Sequence, residues 1–105
     1  MKMDKIIKQA QRMQAQMALA QEELQNTVLE GTAGGGAVKV TANGHGEVLS
    51  VVIDKEVVNP DDVEMLEDLV LGAIKEATSK ARALSEQKMS ALTGGMGGFP
   101  GMPGM

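Results

Sequence analysis

The run VKVTANGHGEVLSVVID, from Val38 to Asp54, limits what this chain can fold into more than any other part of it. Val38, Val40 and Ala42 alternate with Lys39, Thr41 and Asn43, the period of a strand with one buried face. Asn43-Gly44 then offers the dipeptide that tolerates positive φ at a tight hairpin corner, and Gly46 suits a bulge on leaving it. The return strand is unlike the first. Val48, Leu49, Val51, Val52 and Ile53 are interrupted only by Ser50, so both of its faces are apolar and both need cover. Helices can take one face, and the other calls for a partner.

Around this hairpin the chain reads helix, strand, hairpin, helix. Met3, Ile6, Ala10, Met13, Met17, Ala20 and Leu24 recur at spacings of three and four, which predicts a first helix over residues 4–26 with a heptad seam. Lys5, Lys8 and Arg12 form a basic stripe opposite that seam. Residues 27–36 predict a short edge strand, loosened by Gly31 and ended by Gly34-Gly35-Gly36. Asn59-Pro60-Asp61-Asp62 predicts a helix start, with Asn59 as cap and Pro60 in the first turn. The apolar stripe Leu66, Val70, Ala73, Ala77, Ala81 and Leu84 carries that second helix to about Leu92. Gly72 inside it costs about 1 kcal/mol relative to Ala and is expected to mark a close backbone approach. Residues 1–93 thus form one α+β domain. The Gly/Met/Pro-rich tail, 94–105, has too little surface to bury and is expected to be disordered.

A 105-residue chain with one aromatic residue, Phe99, builds a thin core, and such cores favour oligomers. Without cysteine there is no disulfide, thiolate metal site or cysteine nucleophile. No apolar run approaches the roughly 18 residues of a membrane span, and charges break up the amino end, so a cytoplasmic chain is expected. The acids Asp61, Asp62, Glu64, Glu67 and Asp68 lack the spacing of a calcium loop and read as a solvated helix start, with no metal or cofactor expected. Neither glycine cluster has the residues of a phosphate-cradling or dinucleotide fingerprint. His45 is the only imidazole, no serine has a base placed near it, and no catalytic constellation or small-molecule substrate is expected.

Charge is more informative in its distribution than in its sum of −4. Residues 1–20 carry +3, residues 21–72 carry −9 and residues 73–105 carry +2. At 1.5 Å per residue the two helices span roughly 33 and 50 Å, whereas the strands reach only about 23 Å. The helices must overhang the sheet. If they run antiparallel, the two basic ends meet in one positive prong, and a two-fold dimer joined through the sheet has two.

The order of a basic Met-rich helix, the VKVTANGHGEV hairpin, VVID, NPDD, MLEDLV (Met65 to Val70) and a Gly-Met-Pro tail resembles the YbaB/EbfC family of bacterial nucleoid-associated proteins over essentially the whole chain. The resemblance implies an α-β-β-β-α protomer, a small antiparallel sheet with two long helices, a tweezer-like homodimer and binding of double-stranded DNA without enzymatic activity. It places DNA contacts, by position, on Lys5, Lys8 and Arg12 of the first helix and on Lys75, Lys80, Arg82 and Lys88 of the second. Lysine-rich prongs position a duplex through its phosphates more than they read bases. The alternative is a protein-binding adaptor or assembly factor that uses the Met-rich seam and tail and binds no nucleic acid. An amphipathic helix on a membrane surface is a weaker reading, since aromatic anchors are lacking.

Overall fold

The computed structural model describes residues 2–93, so the expectation for the tail falls outside the described residues. Helix α1 covers Lys2–Asn26, strands β1, β2 and β3 cover Val28–Ala33, Val38–Asn43 and Val48–Ile53, and helix α2 covers Val63–Thr93. A single 3-10 turn, Lys55–Val57, precedes α2. The strands form one antiparallel sheet in the order β1-β2-β3. The α-β-β-β-α order and the α+β class are as the sequence predicts.

Helix α2 sits off-centre on this sheet. Its buried face is a stripe of alanines, Ala73, Ala77 and Ala81, and the first two pack on Val38, Val40 and Ala42 of β2. Alanine allows close approach, and β1 answers with Gly31. A Cβ at Gly31 would lie 2.2 Å from the Ala73 carbonyl oxygen and 2.4 Å from the Ala77 amide nitrogen. The helix backbone therefore rests directly on β1. Gly72, where the sequence suggested such an approach, would meet only the Ala33 side chain at 3.8 Å.

The second helix starts later than expected. Asn59 does accept from an amide, that of Asp61 at 2.9 Å, but it closes a turn in which the Asp62 amide also reaches the Asn59 carbonyl. Pro60 supplies the preset φ of that turn rather than of the helix. The helix cap is Asp62, whose carboxylate accepts from the Met65 amide at 3.2 Å.

The hairpin corner also differs from its simplest form. Among the described residues none other than glycine has positive φ, and within the β2–β3 turn only Gly46 does, at 86°. Asn43 acts through its side chain instead. Buried at 3% exposure, its carboxamide oxygen accepts from the His45 and Glu47 amides, and its Nδ2 donates to Glu47 Oε1 at 2.6 Å. Gly44 is needed for space, since a Cβ there would lie 2.6 Å from the Leu24 carbonyl oxygen. That carbonyl accepts from the Gly44 amide at 2.7 Å, which ties the end of α1 to the turn.

The molecule is long for its mass. Its radius of gyration is 19.8 Å, against about 13 Å for a compact chain of this size, and it extends 72 × 30 × 16 Å.

Gly31→Ala is expected to lower the melting temperature sharply or prevent folding, because helix backbone, not a movable side chain, occupies the site. Gly72→Ala is expected to stabilise by about 1 kcal/mol, because it removes a flexible residue from a helix and meets ordinary contacts. Thermal unfolding followed by circular dichroism compares the two.

Candidate nucleic-acid interface

The last turns of α1 dock where α2 ends. Ala20 and Leu24 are buried, Lys88 Nζ lies 3.2 Å from Glu23 Oε1, and His45 Nε2 lies 3.1 Å from the Gln21 carbonyl. Gln16, Leu19, Ala20 and Glu23 face Lys88, Ala91 and Leu92 across one cleft. The helices thus run antiparallel, the arrangement on which the expected prong depends. Since Leu92 already lies beside Gln16 and Leu19, the earlier turns of α1 run on past the end of α2.

That overhang is a free arm. Residues 2–12 are all exposed, including Met3 at 70% and Ile6 at 63%. Of the heptad seam only the final two positions, Ala20 and Leu24, are buried by this chain, and Met13 is half-buried. The arm carries Lys2, Lys5, Lys8 and Arg12. Among the described residues no ion pair engages Lys5, Lys8 or Arg12.

The α2 cations are placed differently. Lys80 donates to the Glu30 carbonyl at 2.8 Å and lies 3.6 Å from Glu76, whose carboxylate accepts from the Thr32 amide at 3.1 Å. Both contacts fall on outward-facing backbone groups of β1, so this pair occupies the hydrogen-bonding edge of the sheet. Lys88 is paired with Glu23. Lys75 is exposed on the stretch of α2 that crosses the sheet, and Arg82 lines a cleft beside the β2–β3 turn. The seven sequence-selected cations therefore divide into an arm set, Lys5, Lys8 and Arg12, and a body set, Lys75, Lys80, Arg82 and Lys88.

The opposite edge is open. All six β3 residues are exposed, so neither of its apolar faces is covered by the helices, although the sequence led us to expect cover on one. Val51 and Ile53, opposite Val40 and Val38, lie on the helix side of the sheet. Ile53 continues into an apolar groove with Leu66, Val70, Leu71 and Ile74 of α2.

These features define a class: a three-strand antiparallel platform with one guarded and one open edge, and two antiparallel helices of which one extends as a basic arm. The family is more specific. The model of the YbaB/EbfC DNA-binding family matches residues 1–96, and the chain belongs to that family. A nucleoid-associated protein of Chloroflexus aurantiacus is 56% identical over 94 residues, covering 90% of this chain and 94% of that one. Another, of Ruminiclostridium cellulolyticum, is 50% identical over 100 residues, covering 95% and 87%. A crystal structure of an uncharacterized Helicobacter pylori protein shares the fold, with TM-score 0.71 and 22% identity over 91% of this chain and 97% of that chain. No helix among the described residues is long and apolar enough to cross a membrane.

If Glu76 and Lys80 guard β1, replacing both by Ala is expected to expose a pairing edge and produce larger, concentration-dependent species in light scattering. Lys75→Ala, which removes a lysine from the same helix but off the edge, should leave the size distribution unchanged. Identical scattering from both variants would mean that the edge needs no guard.

Proposed function

We propose that the chain is a nucleoid-associated DNA-binding protein that works as a homodimer and grips duplex DNA mainly through its phosphates. The observation that carries this reading is the α1 arm, whose lysines and arginine face solvent with no carboxylate among the described residues holding Lys5, Lys8 or Arg12. Cations already engaged internally must give up a partner before they bind a phosphate, and these need not. The arm lacks the arginine clusters that read base edges, so contacts to the backbone set affinity and sequence preference is slight.

The dimer reading rests on β3. Its register turns the amide and carbonyl groups of Val51 and Ile53 outward, and its helix-side face is continuous with the groove on α2. A second copy paired antiparallel along this edge extends the sheet, keeps both α2 helices on one side and covers both grooves. The arms of two copies bring eight lysine and arginine side chains, Lys2, Lys5, Lys8 and Arg12 of each, to one duplex. The nucleoid is the corresponding location.

Neutralising about 6–8 phosphates gives a slope of roughly −5 to −7 for log K against log salt. A flat response would remove phosphate contacts as the mechanism. Replacing Lys5, Lys8 and Arg12 together by Glu is expected to abolish retardation of linear duplex while the dimer stays intact. Nuclease-treated protein that never shifts DNA at low salt would instead favour the adaptor reading.

Val51→Lys places a charge on the proposed joint and is expected to reduce the mass in solution from twice the 11.0 kDa chain to one chain, with weaker DNA binding. A variant that keeps the wild-type mass would locate the dimer contact elsewhere.

A further inference from the structure

The cleft beside the β2–β3 turn holds about 390 Å³ and is lined by Gly44, His45 and Gly46 of the turn and by Thr78, Arg82, Ser85 and Glu86 of α2. Most of its polar groups already have partners. The His45 amide donates to Asn43 Oδ1, the Gly46 amide to the Asn43 carbonyl, the Gly44 amide to the Leu24 carbonyl, and the Thr78 hydroxyl to the Ile74 carbonyl. His45 Nε2 faces the Gln21 carbonyl and so must carry the donated proton. What remains is the Arg82 guanidinium, the Ser85 hydroxyl and the Glu86 carboxylate, none of which has a side-chain hydrogen bond or ion pair among the described residues.

An unengaged guanidinium with a hydroxyl three residues on, about one helical turn away on the same rim, is a donor pair for a tetrahedral oxyanion. The facing wall is almost bare. A Cβ on Gly46 would meet nothing within 4 Å, so a chain passing the turn meets backbone rather than side chains. Glu86 on the same rim disfavours a multiply charged anion, which selects a phosphodiester, carrying one charge, over a free phosphate or a phosphomonoester.

We propose that Arg82 and Ser85, with the glycine-walled turn opposite, seat one phosphodiester of the DNA backbone at the base of the α1 arm. This rests on the DNA-binding reading above and adds to it a fixed point of contact on the body of the protein. Contacts on the arm alone would leave the duplex free to pivot along a single helix. A seat at the base fixes its direction relative to the sheet.

Fluorescence polarisation with two labelled duplexes of unrelated sequence, titrated with salt, tests the seat on the full chain. Arg82→Gln is expected to weaken binding about tenfold, the loss of one charge-assisted contact, and to make the salt slope shallower by about 0.9, equally for both duplexes. Ser85→Asp puts a carboxylate on the rim and should weaken binding at least as much. Gln87→Asp makes the same change in net charge on the same helix but outside the cleft, and should stay within about twofold of wild type.

Equal losses from Ser85→Asp and Gln87→Asp would reduce the effect to overall charge and overturn the seat, as would an unchanged slope for Arg82→Gln. A loss confined to one duplex would turn Arg82 into a base reader and overturn it too. Wild-type protein that fails to bind either duplex is a separate result, because it removes the DNA-binding reading itself. Matching circular dichroism melts confirm that the substitutions leave the fold intact.

Discussion

The backbone-to-backbone contact between Gly31 and the Ala73–Ala77 turn of α2 determines most of what this protein exposes. Because no side chain stands between them, α2 settles over β1 and β2 and cannot also cover β3. Two consequences follow from that one displacement. The helix comes close enough to β1 for Glu76 and Lys80 to reach its edge groups, and it leaves β3 with apolar side chains and unpaired backbone. A sheet with two free edges polymerises, and a sheet with one can close as a pair. The small residues in the core thus bear on assembly as well as on packing.

A chain with net charge −4 appears at first a poor ligand for a polyanion. Distance resolves the difficulty. The acids Asp61, Asp62, Glu64, Glu67 and Asp68 stand at the start of α2, and the α1 arm lies past its other end. A 31-residue helix is about 46 Å long, several times the roughly 8 Å over which salt screens exposed charges. Each end is therefore read by its surroundings almost independently. The acids also have a local role, since carboxylates near the α2 amino end face its unpaired amides.

The elements and their order were legible because each has a strong periodic or turn signal: the alternation of Val38 to Asn43, the i, i+4 alanines, and the heptad seam. The start of α2 is ambiguous in the sequence because Asn59 and Asp62 are both competent caps, and only the chain path shows which one the helix uses. The close backbone approach falls at Gly31 and not at Gly72. An isolated glycine within a strand signals a bulge or a close approach, and its i, i+4 alanine counterpart was present at Ala73 and Ala77. Contacts of Glu76 and Lys80 with β1 were not legible at all. They join residues more than 40 positions apart, and nothing in the local pattern distinguishes them from an ordinary i, i+4 pair. The overhang was legible from lengths alone, since no short sheet can support helices of this span.

Lys88 stands between the free arm and the engaged body. Its bridge to Glu23 joins the two helices at the root of the arm, but Glu23 is 57% exposed, and bridges in such surroundings contribute no more than about 1 kcal/mol. In the proposed complex a duplex phosphate would displace Glu23 from Lys88 at small cost, whereas taking Lys80 from the sheet edge would also strip β1 of a hydrogen bond. The burial of Ala20 and Leu24, not the bridge, holds the arm in place. On that proposal the root of the arm would exchange an internal carboxylate for an external phosphate without losing the direction in which the arm points.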